Sequence, residues 1–380
     1  MTPRLAPNAL RMPRSGIREI MDLAWSLPDP VIGLHVGEPS FQTPEHVREA
    51  SRQALTRGET RYVSNAGIPP LRSAIARKVT ERNALPAQPE QVVVTAGGMQ
   101  ALHTAFGSTI SAGDEVLVPD PGWPNFVMAV GLLQATPVGY PLRPEGSFLP
   151  EPDRLEELVT ERTRAIVLNF PSNPLGAVLP PTLAERLVRF ADAHDQWLIS
   201  DECYDAFTFG AEHVSPGRWD EQGRVLSVFS FSKTYAMTGL RVGYLVAPPA
   251  VAETAATLQE AQLSCVNVPA QFGALAALEG AQDCVEEMRS AYHERRDAAV
   301  AQLDRAGVGY LLPEGAFYLW VDVGDRSGGD VKAWALELLR RRGVAVAPGT
   351  TFGPGGEGWA RISLATETEA LLEGLARIAR

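Results

Sequence analysis

The sequence predicts an α/β protein in which a large domain, built on a mostly parallel sheet between helices, adjoins a smaller α/β domain. Predicted strands and helices alternate from about residue 40 to residue 280, which is typical of parallel strands joined by helical crossovers. Several of these strands are apolar throughout, as strands covered by helices on both faces are. After residue 280 the pattern changes to a long charged helix, an apolar strand and further helices, which indicates a second unit.

The elements can be assigned in order from their residue patterns. Short β-branched and aromatic runs predict strands, and longer runs with apolar residues three and four apart predict helices. The predicted large-domain strands are 91–97, 115–121, 164–170, 197–203, 224–232 and 241–248, with helices at 99–110, 124–134 and 180–195. In the smaller unit a helix over 284–307 precedes strands at 316–323 and 359–365.

These patterns divide the chain into three segments. Residues 1–40 are rich in Pro and Arg and contain one helical stretch, so we expect an N-terminal arm and part of the small domain. Residues 41–280 are predicted to form the large domain, which would bind any cofactor. Residues 281–380 are predicted to form the small C-terminal domain.

Composition and charge disfavour several classes of protein. A chain of 380 residues with a net charge of −11 is poorly suited to bind nucleic acid. We find no apolar stretch long enough to span a bilayer and no apolar signal-peptide region, so we expect a cytoplasmic protein without a membrane partner. The three cysteines are widely spaced, which fits a reducing compartment. The six histidines form no ligand pattern, so no metal site is expected.

Residues that suit a ligand follow the predicted strands, at the edge where open α/β sheets bind ligands. Gly98 and Met99 begin a helix, whose free backbone amides can bind an anion. Trp123 offers a flat ring and Asn173 an amide. Asp201 ends a strongly apolar strand and needs a cation or a strong donor, because an unpaired buried carboxylate is destabilising. Each also has an ordinary interpretation, as a turn residue, a rim tryptophan or a structural ion pair.

Lys233 is notable because the chain contains only three lysines. Lys78 and Lys332 lie in helical stretches that can point them to solvent, whereas Lys233 follows an apolar strand. A lysine there either extends its amine to solvent or has a function. Arginine could not replace an amine that must lose a proton, because a guanidinium stays charged at any working pH.

One ligand suits all of these groups. Ser230 and Arg241 lie near Lys233 in the sequence, and Tyr204 follows Asp201 by three residues. Pyridoxal 5′-phosphate has a flat ring, a phosphate, a phenolic oxygen, a basic ring nitrogen and an aldehyde. Its enzymes bind it through a lysine Schiff base, with a charged partner at the ring nitrogen. The sequence therefore predicts a pyridoxal-phosphate site.

Seven motifs carry a family resemblance that covers nearly the whole chain. They are LHVGEPSFQTPEHV at 34–47, RYVSNAGIPPLR at 61–72, SNPLGAV at 172–178, SDECYDAF at 200–207, SFSKTYAMTGLRVGY at 230–244, PEGAFYLW at 313–320 and ARISLA at 360–365. In order and spacing the chain resembles the fold-type I, class I/II aminotransferases, the aspartate aminotransferase family, in its prokaryotic branch. The resemblance implies a seven-stranded sheet, and amino transfer from an L-amino acid to a 2-oxo acid by a ping-pong mechanism.

The resemblance also implies how the cofactor is held. Lys233 carries it as a Schiff base and moves the substrate proton, and Asp201 pairs with the ring nitrogen. Asn173 and Tyr204 hydrogen-bond the phenolic oxygen. Trp123 stacks on the ring, and the phosphate is bound by Ser230, Arg241 and the amides of Gly98 and Met99.

Substrate binding and assembly are implied in the same way. Arg361 binds the substrate α-carboxylate, a two-pronged task that suits a guanidinium. The backbone at Gly37 covers the same carboxylate, and Trp123 and Asn173 also contact the substrate. Tyr62 reaches the phosphate of the neighbouring subunit, so the resemblance implies a homodimer with shared active sites.

Two other kinds of function remain open at this point. Related lyases, cyclopropane-carboxylate synthases and oxidases use the same lysine and aspartate but treat the carbanion differently. A regulator that senses the cofactor is disfavoured, because the arm is short for a DNA-binding domain and the chain is acidic.

The donor side chain is the least determined feature. Relatives specific for dicarboxylates often have a lysine where this chain has Met99, and a threonine near Gly16. We therefore expect a neutral donor, aromatic or bulky and apolar, with Phe317 adding apolar wall. Aspartate specificity stays an alternative through Arg14 or Arg18 in the arm.

Overall fold

The structure, a computed structural model, describes residues 5–10, 12–13 and 15–380. Its helices are α1 Pro7–Leu10, α2 Gly16–Ser26, α3 Glu45–Thr56, α4 Pro69–Arg82, α5 Gly97–Thr109, α6 Asn125–Leu132, α7 Pro152–Glu156, α8 Pro181–Ala193, α9 Phe231–Thr234, α10 Pro249–Gln262, α11 Val268–Glu279, α12 Asp283–Ala306, α13 Gly324–Ser327, α14 Val331–Arg342 and α15 Thr368–Ala379. Its strands are β1 Ile32–Gly33, β2 Val92–Thr95, β3 Glu115–Asp120, β4 Thr136–Pro141, β5 Thr163–Asn169, β6 Trp197–Asp201, β7 Val225–Ser230, β8 Gly243–Val246, β9 Tyr310–Leu311, β10 Tyr318–Asp322, β11 Val344–Ala345, β12 Ala347–Pro348 and β13 Trp359–Ser363.

A seven-stranded sheet forms the centre of the large domain, in the order β2-β8-β7-β6-β5-β3-β4. Neighbouring strands are parallel except where β8 pairs with β2 and with β7. Apolar side chains of α5, α6 and α10 pack on one face, and those of α4, α8 and α11 pack on the other. Burial on both faces explains the uniformly apolar strands, and the predicted fold class is confirmed.

The edge strand β4 was not assigned from the residue pattern. Its sequence, TPVGYP, contains two prolines and a glycine, which argue against a central strand. The strand pairs on one side only, with β3, and an edge position tolerates residues without a free N–H.

Two smaller sheets form the rest of the strand structure. An antiparallel sheet has the order β12-β13-β10-β9, and β1 pairs in parallel with β11. The β1–β11 pair joins residues 32–33 to residues 344–345, so the N-terminal segment packs with the C-terminal part of the chain. The domain boundaries at residues 40 and 280 stay a prediction.

Strand register brings the polar strand ends together. Asn169 at the end of β5 pairs with Asp201 at the end of β6. Ser230 at the end of β7 is opposite Gly243 in β8, which is in turn opposite Thr95 in β2. The helix that begins after Thr95 and the side chains of Asp201 and Ser230 therefore share one edge of the sheet.

None of the described helices is both long and apolar enough to cross a membrane. Within residues 5–10, 12–13 and 15–380, no group of three or more His, Cys, Asp or Glu side chains is placed to hold a metal ion.

Candidate active site

A cavity of about 420 Å³ lies at the carboxyl edge of the central sheet. Every residue predicted to bind the cofactor or the substrate carboxylate, except Tyr62, lines it. Among them Asp201 and Ser230 end strands of the large sheet, and Arg361 lies in the smaller antiparallel sheet. The cavity is also lined by Ile17, Asn125, Cys203 and Tyr318, which the sequence did not single out.

Lys233 sits on the short helix α9, directly after β7. The Ser230 side chain accepts a hydrogen bond from the backbone N–H of Ser232, at 3.1 Å, and so caps this turn. The Lys233 amine donates to the carbonyl oxygen of Gly37, at 2.6 Å. Burial lowers the pKa of this amine to about 8 from its ordinary 10.5. The nearby Arg241 also lowers the pKa of Lys233, but it contributes less than burial does.

Asp201 is a buried carboxylate at the end of β6, with 3% of its surface exposed. It accepts a hydrogen bond from the backbone N–H of Cys203, at 3.2 Å. Burial raises the pKa of Asp201 to about 6 and outweighs the lowering by its hydrogen bonds to Cys203. No basic side chain of the described residues forms an ion pair with Asp201, so the structural ion-pair interpretation gains no support there.

The N-terminus of α5 forms a close-packed anion cup. Gly97 has a φ of +79°, and a Cβ there would lie 2.5 Å from the Arg241 guanidinium. A Cβ on Gly98 would lie 2.8 Å from the sulfur of Cys203. None of the described side chains caps the helix, so its first backbone amides are available to a ligand. Those amides together with Arg241 suit a phosphate group.

Two tyrosines form a second wall of the cavity. The hydroxyl groups of Tyr204 and Tyr318 lie 2.7 Å apart and share a hydrogen bond. Burial and the adjacent Tyr318 raise the pKa of Tyr204 well above its ordinary value, so its hydroxyl keeps its proton. A side chain on Gly37 would overlap the Tyr318 hydroxyl, so glycine is needed at that position.

Arg361 extends from β13 into the cavity and is only 2% exposed. It donates to the side-chain oxygen of Asn173 at 2.8 Å and to the carbonyl oxygen of His35 at 2.5 Å. Its guanidinium carbon lies 4.3 Å from the ring centre of Tyr318, and its Nε has no hydrogen-bond partner in the described chain. A buried guanidinium held by neutral groups, with its Nε–H without a partner in the described chain, suits a carboxylate ligand.

Three residues that the sequence analysis placed at the site, Tyr62, Gly16 and Phe317, do not line the cavity. Tyr62 is 87% exposed and lies outside the cavity, so its predicted role towards a partner subunit stays a prediction. The α2 residue that lines the cavity is Ile17 rather than Gly16, which packs against Thr351. Phe317 is fully buried behind the cavity, so the prediction that it forms the wall is wrong.

Arg18, the arm arginine that the structure describes, does not add a charge to the cavity. Arg18 contacts the sulfur of Met21, at 3.4 Å, and lies over the ring of Trp25. Both contacts are on its own helix, and Arg18 is not part of the cavity lining. Arg14 lies outside the described residues.

Comparisons with known proteins agree on one family. The model described as "Aminotransferase class I and II" matches residues 29–378. The chain is 41% identical to a probable aspartate/prephenate aminotransferase of Aquifex aeolicus, over 92% of this chain and 90% of that protein. It is 37% identical to aromatic-amino-acid aminotransferase 2 of Thermococcus litoralis, over 96% and 94%. A solved structure of a single mutant of Thermus thermophilus aspartate aminotransferase matches with a TM-score of 0.95 at 38% identity, over all of both chains.

Proposed function

Because the chain belongs to the class I and II aminotransferases, a family of pyridoxal-phosphate-dependent enzymes, we propose that it takes the amino group from neutral donors, foremost aromatic L-amino acids. The acceptor is a 2-oxo acid, as in the family. The relatives' names favour amino transfer over the lyase and oxidase alternatives. The observation that carries the donor preference is the apolar wall of the cavity.

The cavity residues fit pyridoxal phosphate. Asp201 is a buried carboxylate without a basic partner in the described chain, and it suits a protonated ring nitrogen. The glycine-lined N-terminus of α5 and Arg241 suit the phosphate. Lys233 provides an amine that is partly neutral near physiological pH. When bound, pyridoxal phosphate supplies an aldehyde that takes up the amino group and a ring that accepts electrons from the α-carbon.

Each polar residue of the cavity has a distinct task in this proposal. Lys233 holds the cofactor through its Nζ and then moves a proton at the substrate α-carbon. Asp201 keeps the proton on the ring nitrogen, and the Tyr204 hydroxyl donates to the phenolic oxygen. Arg361 binds the α-carboxylate, while Asn173 fixes the orientation of the guanidinium.

The donor preference follows from the cations that line the cavity and the tasks that they already have. The cations that line the cavity in the described chain are Lys233, Arg241 and Arg361, and each already has a task. A second carboxylate on the donor would be buried without a cation, which is unfavourable. The wall that remains for the side chain includes Met99 and Trp123. An apolar ring or chain fits this wall, because methionine adapts to varied shapes.

Aspartate is the second candidate donor, because two of the relatives above carry aspartate in their names. The direct test compares kcat/KM for phenylalanine, kynurenine, leucine, alanine, aspartate and glutamate with one 2-oxo acid. We expect phenylalanine to exceed aspartate by about tenfold or more, the effect of one missing charge-assisted contact. If aspartate ranks first by tenfold, the donor preference is wrong.

Two further features belong to the proposal. The enzyme would be a homodimer in which the exposed Tyr62 of each subunit reaches the phosphate of the other site. It would work in the cytoplasm, which suits its unpaired thiols at Cys203, Cys265 and Cys284.

A further inference from the structure

A second cavity, of about 320 Å³, adjoins the catalytic cavity. The two share Met99 and Asn125, which line both. We propose that this second cavity, the annex, receives the outer part of long or bulky apolar donor side chains. The proposal rests on the amino-transfer function above and extends it from the site of chemistry to the far end of the substrate.

Among the described residues, the wall of the annex is almost entirely apolar. Beyond the two shared residues it is formed mainly by Ala9, Met12, His103, Met128 and Leu132, from the arm and from α5 and α6. Burial lowers the pKa of His103, so this side chain is neutral at physiological pH and offers no charge to a carboxylate. The annex therefore suits an uncharged hydrocarbon group.

The size of the annex suits more than one ring. An apolar protein cavity of about 150 Å³ holds a benzene molecule, and the annex is about twice as large. A donor whose side chain ends at Met99 would leave this space unused. A donor with a longer chain or a second ring would bury additional apolar surface there, which favours its binding.

Met99 forms the partition between the two cavities. Its sulfur lies 3.3 Å from the side-chain nitrogen of Asn125, a weak contact across the common wall. Methionine is unbranched and has several rotatable bonds, so it can move aside at small energetic expense. Asn125 sits at the start of α6, directly after the Trp123 loop, and fixes the other side of the passage.

A series of straight-chain donors tests the annex. The series runs from 2-aminobutanoate to 2-aminodecanoate, with phenylalanine and biphenylalanine as aromatic members. Each methylene buried in the annex should raise kcat/KM about fourfold. If kcat/KM falls steadily for donors with side chains longer than that of leucine while phenylalanine is still used, the proposed role of the annex is wrong and the donor preference stands. If neither alanine nor phenylalanine is a donor, the proposed function itself fails.

A matched pair of variants on α1 locates the effect. Ala9→Phe fills the annex from an exposed position, and Leu10→Phe adds the same ring at a neighbouring position that is 66% exposed and outside the annex lining. Ala9→Phe should reduce kcat/KM for 2-aminooctanoate and biphenylalanine at least tenfold and change alanine less than twofold. Leu10→Phe should leave kcat/KM unchanged for all three donors. Equal effects of both variants on all donors would overturn the assignment.

Binding without turnover gives an independent readout. Calorimetric titration of the cofactor-loaded enzyme, in which the phosphate site is filled, with butanoate, hexanoate, octanoate and decanoate places a carboxylate at Arg361 and a chain of increasing length towards Met99. We expect affinity to rise about fourfold per methylene in the wild type and to level off after hexanoate in Ala9→Phe. A wild-type affinity that does not depend on chain length would contradict the proposal.

Discussion

The amine of Lys233 donates a hydrogen bond to the carbonyl oxygen of Gly37, at 2.6 Å, although 196 residues separate them. The contact joins the end of the central sheet to the segment that follows β1. The same segment supplies the His35 carbonyl that holds Arg361. The amine of Lys233 and the guanidinium of Arg361 are therefore both oriented by one short stretch of backbone.

The lowered pKa of Lys233 predicts how cofactor uptake depends on pH. Only the neutral amine attacks an aldehyde, and the pKa of Lys233 is about 8 rather than the ordinary 10.5. The rate at which cofactor-free protein takes up pyridoxal phosphate should rise with pH and level off above about 8. Stopped-flow absorbance measures this rate. A rate that keeps rising to pH 10 would show that Lys233 has the pKa of an ordinary lysine. The control is Lys332→Arg, at an exposed position that is ion-paired with Glu19.

Asp201→Asn should fold but lose turnover by about 10²–10³-fold, the effect of removing one group that stabilises developing charge. The carboxylate is the acidic group at the strand end that can keep a ring nitrogen protonated. Steady-state kinetics at saturating cofactor measures the loss. Near-normal turnover would mean that this carboxylate has only a structural role.

The same substitution should stabilise the cofactor-free protein at neutral pH. Burial raises the pKa of Asp201 to about 6 from 3.8, so its ionised form destabilises the folded state above pH 6 by about 3 kcal/mol. This penalty declines as the pH falls through 6 towards 3.8. Urea unfolding at pH 7.5 should show Asp201→Asn as the more stable protein, and the gap should narrow at pH 4.5. A gap that is independent of pH would contradict the assigned cause.

Met99→Lys should shift the donor preference towards aspartate. The lysine would offer a cation to a second carboxylate, a contact that changes the ratio of kcat/KM for aspartate to that for phenylalanine by about 10–100-fold. Met99→Leu is the control, because it keeps an apolar side chain of similar size. An unchanged ratio in Met99→Lys would place the donor side chain elsewhere in the cavity.

Mixing inactive variants tests whether the sites are shared between subunits. In a hybrid of Lys233→Ala and Tyr62→Ala subunits, one site would combine an intact Lys233 with an intact Tyr62 from the other chain. Activity should therefore exceed the sum of the two parents after subunit exchange. A hybrid of Lys233→Ala and Asp201→Asn should gain nothing, because both residues line the cavity of one chain. A fully active monomer in sedimentation would refute shared sites.

The fold was predictable wherever residue patterns were strong. Uniformly apolar runs marked the inner strands. The edge strand β4 tolerates two prolines because an edge strand needs fewer backbone donors. These prolines removed the residue pattern by which a strand is predicted. In the site, the residues with distinctive chemistry, Lys233, Asp201 and, through the resemblance, Arg361, were predicted from the sequence, and the structure brings them to one cavity. The wall was less predictable, because which of two adjacent apolar residues faces a cavity depends on packing. Ile17 rather than Gly16 lines the cavity for this reason.

The proposed function requires that Lys233 carries the cofactor. Borohydride reduction of the purified, cofactor-loaded enzyme, followed by peptide mapping, locates the lysine that is bonded to pyridoxal phosphate. We expect a single modified peptide containing Lys233, the lysine that lines the catalytic cavity. Label on Lys78, which is ion-paired with Asp205, or on the exposed Lys332, with Lys233 unmodified, would contradict it.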